Sequence, residues 1–362
     1  MARTRRPLKI ILRSSTGSRS YASGVSAPRQ SADVGPGTVP RVRDVTVAVL
    51  TYRRSGFLPD LVADLDREAA RAANEQRRIA LLVVDNDPDG SAGPVVRAQR
   101  PVAPLRYVVE PRRGIAAARN RVLAECADAD VLVFLDDDER PDPGWLDTLL
   151  STYDSSRPAA VSGPVRTEYL TDPHPWAVAG RFVDRSYRDG LVTGDVVAEA
   201  ATNNLLLDLG VVRRLGLTFD ASLQLSGGED AIFTRRLTRA GERIVWCAEA
   251  RVTDLRPGHR TTRAALLRRT YSLANGKVVV GVRLADGRLG RARVRLAALA
   301  GGVVRIGAGG GSFLLGCVTG RLDRRANGAR LVARGVGGLS GGLGHRYETY
   351  RTVEPTSSLP DD

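Results

Sequence analysis

The stretch Val133 to Leu146, VFLDDDERPDPGWL, decides the fold. It completes an apolar run, VLVFL over 131–135, that stops abruptly at Asp136-Asp137-Asp138-Glu139. Continuous rather than alternating apolar residues mark a strand covered on both faces, as in a parallel sheet. Four like charges in sequence repel one another, so gathering them at a strand end is costly without a cation. Their plainer role is as the acidic start of a helix near Pro141, where the helix dipole favours negative charge.

The same pattern repeats upstream. Val45 to Leu50 (VTVAVL), Ile79 to Val84 (IALLVV) and Leu105 to Val109 read as short buried strands. Between them, Phe57 to Ala73 and the Ala-rich Gly114 to Ala127 have helical spacing. Strands alternating with helices predict an α/β fold, a mainly parallel sheet flanked by helices. Ligands of such sheets sit at the carboxyl ends of the strands. The polar clusters fall there: Thr51-Tyr52, Asp85-Asn86, Glu110 and the 136–139 run. A hard divalent ion, Mg²⁺ or Mn²⁺, takes carboxylate oxygens and completes its shell with phosphate, and the alternate residues Asp136 and Asp138 are placed to share one pocket. A second acidic pair, Glu229-Asp230, follows Gly227-Gly228 and opens a helix over 231–240. It serves either as an acidic first turn or as a carboxylate general base.

Taken in order, VTVAVLTYRR (45–54), VVDNDPDG (83–90), GIAAARNRVL (114–123), the acidic stretch, TNNLLL (202–207) and GGEDAIFTRRLTRAG (227–241) form a set. The set resembles an inverting family 2 glycosyltransferase of the nucleotide-diphosphosugar (GT-A) fold, over about residues 44–270. The resemblance implies that Thr51, Tyr52 and Arg54 line a nucleotide pocket, with Tyr52 beside the base. Asp85 or Asn86 would read the base or ribose, and Arg119 would help to hold the nucleotide. Asp136 and Asp138 resemble the DXD element that carries the metal and diphosphate, with Asp137 between them. Asn203, Asn204 and Gly228 would lie near the sugar and acceptor. Asp230 resembles the catalytic base, with Glu229 beside it. Members often carry a metal-binding His after the next strand; here Asp254 falls at about that place, with His259 five residues on, so that either Asp254 serves as a third, oxygen ligand of the metal or the third ligand is absent. The Gln-x-x-Arg-Trp signature of processive synthases is missing after residue 241, which favours transfer of a single sugar. The implied donor is a nucleotide-diphosphate sugar, UDP by family habit. The implied acceptor is a hydroxyl compound of polysaccharide, glycolipid or natural-product glycoside synthesis. A sugar-nucleotide nucleotidyltransferase would instead want a Gly-rich phosphate loop after the first strand, where Thr51-Tyr52-Arg53-Arg54 stands.

Composition bounds the rest. The 362 residues carry a net charge of +14, distributed as +8 over 1–43, −4 over 44–265 and +10 over 266–362. The expected organisation is a basic disordered tail, a transferase domain and a basic, partly amphipathic helical C-terminal segment with those boundaries. The basic ends lack interleaved aromatics and any nucleic-acid motif, so nucleic acid is a poor fit. A non-catalytic basic protein that binds membrane or nucleic acid on a transferase-like body is the remaining alternative. Cys126, Cys247 and Cys317 show neither disulfide nor zinc spacing, which suits a reducing, cytoplasmic compartment. No run of 18 uncharged apolar residues occurs, and Val303 to Val318 is interrupted by Arg305 and Gly309-Gly310-Gly311. The C-terminal segment is therefore expected as a helical cap or as a peripheral contact with the inner face of a membrane, near a lipid-linked acceptor.

Overall fold

The computed structural model describes residues 43–182, 188, 190–223 and 225–348. The expected tail, except for Arg43, lies outside the described residues. Strands and helices follow in the order β1 (Arg43–Thr51), α1 (Leu58–Ala72), β2 (Arg77–Asp85), α2 (Gly93–Ala98), β3 (Leu105–Val109), α3 (Ile115–Glu125) and β4 (Val131–Asp136). Then come β5 (Glu139–Pro141), α4 (Trp145–Ser156), β6 (Ala160–Ser162), β7 (Val165–Tyr169), α5 (Pro175–Ala179), β8 (Val196–Val197), β9 (Asn204–Asp208) and α6 (Leu209–Arg214). The chain continues through α7 (Glu229–Arg239), β10 (Ile244–Trp246), β11 (Val252–Arg256), α8 (Arg263–Leu284), α9 (Gly287–Val318) and α10 (Leu322–Gly342).

The main sheet has eight strands in the order β3-β2-β1-β4-β9-β6-β10-β8. The first four are mutually parallel, as the apolar runs require. Val47, Val49, Val133 and Leu135 point to one face, against Leu58, Leu61 and Leu65 of α1 and Leu146 and Leu149 of α4. Their neighbours Ala48, Leu132 and Phe134 point to the other, against Val122 of α3 and Phe233 and Leu237 of α7. Each such Val, Leu or Phe contributes about 1.5–3 kcal/mol by leaving water. Both faces are thus covered, and this is why the strands show no polar alternation.

Several features depart from a purely parallel reading, among them β8, which runs antiparallel to β10. β9 runs antiparallel between β4 and β6, and it carries Asn204 opposite Leu135 at the site end of β4. The helix expected near Pro141 starts only at Trp145, because Glu139–Pro141 first pairs with β11 in a small sheet ordered β5-β11-β7.

The C-terminal helices also differ from expectation. α9 runs unbroken for 32 residues, through Arg305 and the glycine triplet. Its glycines are tolerated because they form a packing face. Gly302, Gly309 and Gly316 recur every seven residues, as do Gly328, Gly335 and Gly342 on the antiparallel α10. A Cβ on Gly309 would stand 2.8 Å from the carbonyl oxygen of Gly328, and one on Gly302 would stand 2.9 Å from that of Gly335. The two backbones meet where no side chain fits. By length and composition α9 is able to cross a membrane: its best 18-residue window has a mean hydropathy of 1.4 and is 11% buried.

Candidate active site

The sheet register assembles the site. Thr51 pairs with Asp85 across β1 and β2, while Leu50 pairs with Asp136 across β1 and β4. The carboxyl ends of three parallel strands therefore open at one level, and the loops that follow them close around it.

Each carboxylate of the acidic run has a different environment. Asp137 is fully buried; the Thr51 hydroxyl donates to its Oδ2 at 2.8 Å, and Arg54 Nη2 lies 2.8 Å from its Oδ1. Asp138 receives two guanidinium groups on Oδ2, Arg54 at 2.7 Å and Arg260 at 2.6 Å. Burial alone would raise the Asp138 carboxyl, but Arg54 and Arg260 together bring it below the usual range. Buried Glu139 accepts from Asn203 Nδ2 at 2.6 Å and from the Asp136 amide at 3.3 Å. Asp136 is half-buried, and its carboxylate makes no hydrogen bond or ion pair among the described residues. Burial first, and the neighbouring Asp138 second, push its pKa up, partly offset by Arg119. A negative charge on Asp136 is therefore poorly compensated by the protein's own groups.

The helix that begins with Glu229-Asp230 lies beside this edge through Arg119. Gly228, in the left-handed region at φ 91°, turns the chain into α7, and a Cβ there would lie 2.7 Å from Val280 of α8. α8 supports this turn through Leu223, Ile232, Val279, Val280 and Leu284. Glu229 is buried and ion-paired with Arg119 of α3. Asp230 is half-buried and accepts from the Ala231 amide at 2.7 Å. The two adjacent carboxylates therefore differ: Glu229 is enclosed beside a cation, and Asp230 is partly exposed.

The remaining predicted residues are spread over the rim and its supports. The guanidinium groups of Arg53, at 5.4 Å, and Arg113, at 5.1 Å, both lie over the Tyr52 ring. Asp85 is fully buried and accepts from the Tyr107 hydroxyl and the Ala92 and Asp87 amides. Asn86 donates to the carbonyls of Glu110 and Arg112 and accepts from the Gly114 amide, so it holds the loop entering α3. Asn204 bonds Trp145 Nε1, Pro164 O and Ala250 O. Asp254 sits on β11 opposite Glu139, with Arg256 at 2.9 Å from its carboxylate. His259 is exposed, whereas its neighbour Arg260 reaches the acidic run. Arg260 is a residue of this cluster that sequence reading left out, whereas Glu139 was read only as part of the acidic run. The Pro257-Gly258 turn that sets Arg260 beside the site was the available signal.

Among the described residues no group of three or more His, Cys, Asp and Glu is arranged to hold a metal. The available donors are the carboxylates of Asp136 and Asp138, the first of them without a hydrogen bond or ion pair among the described residues. That set fits Mg²⁺ or Mn²⁺, which take one or two carboxylates and fill the shell with phosphate oxygens and water. Thr202 Oγ1 and Glu229 Oε2 are buried without a hydrogen-bond partner, as polar groups that await a ligand often are.

A mostly parallel α/β sheet whose carboxyl edge bears an acidic run, with a glycine-introduced acidic helix beside it, is the layout of the GT-A glycosyltransferase fold. The Glycosyl transferase family 2 model matches residues 46–206. The succinoglycan biosynthesis protein ExoM of Rhizobium meliloti is 36% identical over 229 residues, spanning 63% of this chain and 72% of that protein. The chain belongs to glycosyl transferase family 2. The pre-mycofactocin glycosyltransferase of Mycobacterium tuberculosis is 29% identical over 218 residues, 58% of this chain and 42% of that protein. A crystal structure of S. aureus TarS 1-349 superposes with a TM-score of 0.48 at 14% identity, covering 70% of this chain and 68% of that one.

Proposed function

We propose that the protein transfers one sugar, with inversion, from a nucleotide-diphosphate sugar, a UDP-sugar, to an acceptor hydroxyl in polysaccharide or glycolipid synthesis. The observation that carries this reading is the position of Arg119. It offsets the charge of Asp136 and ion-pairs with Glu229, the residue next to Asp230. Arg119 thus links the acidic run to the helix that carries the candidate base.

In this reading Tyr52, with Arg53 and Arg113, forms the wall for the base, and Asp85 and Asn86 hold that wall in shape. Asp136 and Asp138 hold Mg²⁺ or Mn²⁺, and Asp254 stays with Arg256. A bound divalent cation supplies charge neutralisation to the departing diphosphate. Asp230 accepts the acceptor's hydroxyl proton while that oxygen attacks the anomeric carbon from the face opposite the diphosphate. General-base help of this kind is worth roughly 10²–10⁴-fold. Glu229 keeps Arg119 in place, and Asn203 holds Glu139 behind the run. The acceptor is lipid-linked, and the basic helices α8–α10 keep the body at the cytoplasmic surface of a membrane.

A panel of UDP-, GDP- and dTDP-sugars tests the proposal, with the released nucleotide measured and the product's anomeric configuration read by NMR. Turnover of one UDP-sugar with inversion, lost on Asp230→Asn, supports it. Retention of configuration, or unchanged turnover in Asp230→Asn, overturns it.

A further inference from the structure

α8, α9 and α10 enclose a small cleft of about 60 Å³, lined by Val279, Val282, Arg283, Arg295, Gly341, Gly344 and Arg346. Each water-sized group needs about 10–15 Å³ of such space, so the cleft takes roughly the four oxygens of one phosphate. Three arginines from three different segments are among its lining residues, together with Gly341 and Gly344. Arg283 is steadied by the Ser222 hydroxyl and by Asp220, 3.8 Å away. Arg295 and Arg346 have no acidic partner among the described residues. From 266 to 348 the sequence has 15 basic and 3 acidic side chains, so this region carries little internal countercharge.

The cleft adjoins an unusual surface. Leu289, Leu296 and Val303 recur every seven residues along α9 and are 77%, 65% and 63% exposed. At 100° per residue, Leu314 and Val318 continue the same stripe, on the side of α9 away from its glycine face. Leu296 follows Arg295 of the cleft, and the exposed Leu343 precedes Gly344. Apolar side chains beside arginines without acidic partners match the layered chemistry of an anionic bilayer surface, with acyl chains below and phosphate above. Spanning is a poorer match. Arg305 sits mid-helix, and the α10 packed along α9 carries Arg324, Arg325, Arg330 and Arg334.

We propose that Arg283, Arg295 and Arg346 bind the phosphate of an anionic lipid headgroup while the Leu289–Leu296–Val303 stripe enters the outer acyl layer. The proposal rests on the membrane-surface part of the function above and is independent of the sugar-transfer chemistry.

Co-sedimentation of the full chain with phosphatidylcholine vesicles, with and without phosphatidylglycerol, tests it. The wild type binds only the anionic vesicles. Arg295→Gln with Arg346→Gln weakens that binding roughly thirtyfold, about 1 kcal/mol for each arginine. The charge-matched pair Arg288→Gln with Arg291→Gln changes it less than threefold, and Leu296→Asp abolishes it. Circular dichroism confirms that each variant is folded. Equal losses from both arginine pairs would mean diffuse attraction and overturn the site. Equal binding to neutral vesicles would keep the membrane contact and overturn the phosphate cleft; no vesicle binding at all would overturn both. Inorganic phosphate that binds the wild type but not the Arg295→Gln/Arg346→Gln variant, without vesicle binding, would identify free phosphate as the ligand and contradict the lipid.

Discussion

Arg119 on α3 and Glu229 on α7 form an ion pair with both side chains almost completely enclosed, 5% and 3% exposed. They stand 110 residues apart in sequence and join the two motifs on which the site depends. Removing one member of such a pair strands a buried charge, which costs about 3–5 kcal/mol. Arg119→Met is therefore expected to lower stability by that amount in urea unfolding. Arg119→Met with Glu229→Met should recover most of the loss but none of the turnover.

Asp230 differs from its neighbour because it is half-buried and its recorded hydrogen bond comes from its own helix. Asparagine keeps an oxygen for the Ala231 amide. Asp230→Asn should leave stability within about 0.5 kcal/mol and lower kcat roughly 10²–10⁴-fold. Steady-state kinetics beside a melting curve separates the two effects.

Arg260 and a metal ion compete for the same carboxylate of Asp138 in this account. Arg260→Ala should therefore strengthen binding of Mn²⁺ alone several-fold, read by calorimetry without nucleotide. Unchanged or weaker Mn²⁺ binding would argue that Asp138 is not a ligand.

The glycine face of α9 gives opposite outcomes for neighbouring substitutions. A side chain at Gly309 meets α10 backbone, whereas nothing lies within 4 Å of a Cβ at Gly310. Gly309→Leu should cost about 1–3 kcal/mol or more by forcing the helices apart. Gly310→Ala should stabilise by about 0.5–1 kcal/mol through helix propensity. Thermal melts followed by circular dichroism read both.

Glu110 is buried beside Arg112, whose hydrogen bond holds its carboxyl below the usual glutamate value of about 4.3. A depressed folded pKa adds stability that is fully present above the unfolded value and lost as pH falls through the folded one. Glu110→Gln should flatten the loss of stability below about pH 4.3, measured as urea midpoints across that range.

The parallel half of the fold was legible because strands covered on both faces must be apolar at every position, as in VTVAVL and VLVFL. The abrupt end of VLVFL likewise marked where the acidic run begins, and Gly227-Gly228 announced a helix, expected over 231–240 and observed from Glu229. What the sequence did not disclose is long-range pairing. Nothing local tells that β9 enters antiparallel beside β4, that Arg119 meets Glu229, or that Arg260 rather than His259 points at Asp138. The unbroken course of α9 was hidden for a related reason. Glycine weakens an isolated helix, and only the matching seven-residue spacing on α10 turns the same residues into a packing surface.

The central claim is that the carboxyl edge of the sheet binds a nucleotide diphosphate through the acidic run. Calorimetric titration of UDP, GDP and dTDP, each with Mn²⁺ or with chelator, tests it most directly. The account predicts UDP-selective binding that needs Mn²⁺ and is lost in Asp138→Ala. Binding that is indifferent to metal and to Asp138, or no binding of any of the three, would contradict it.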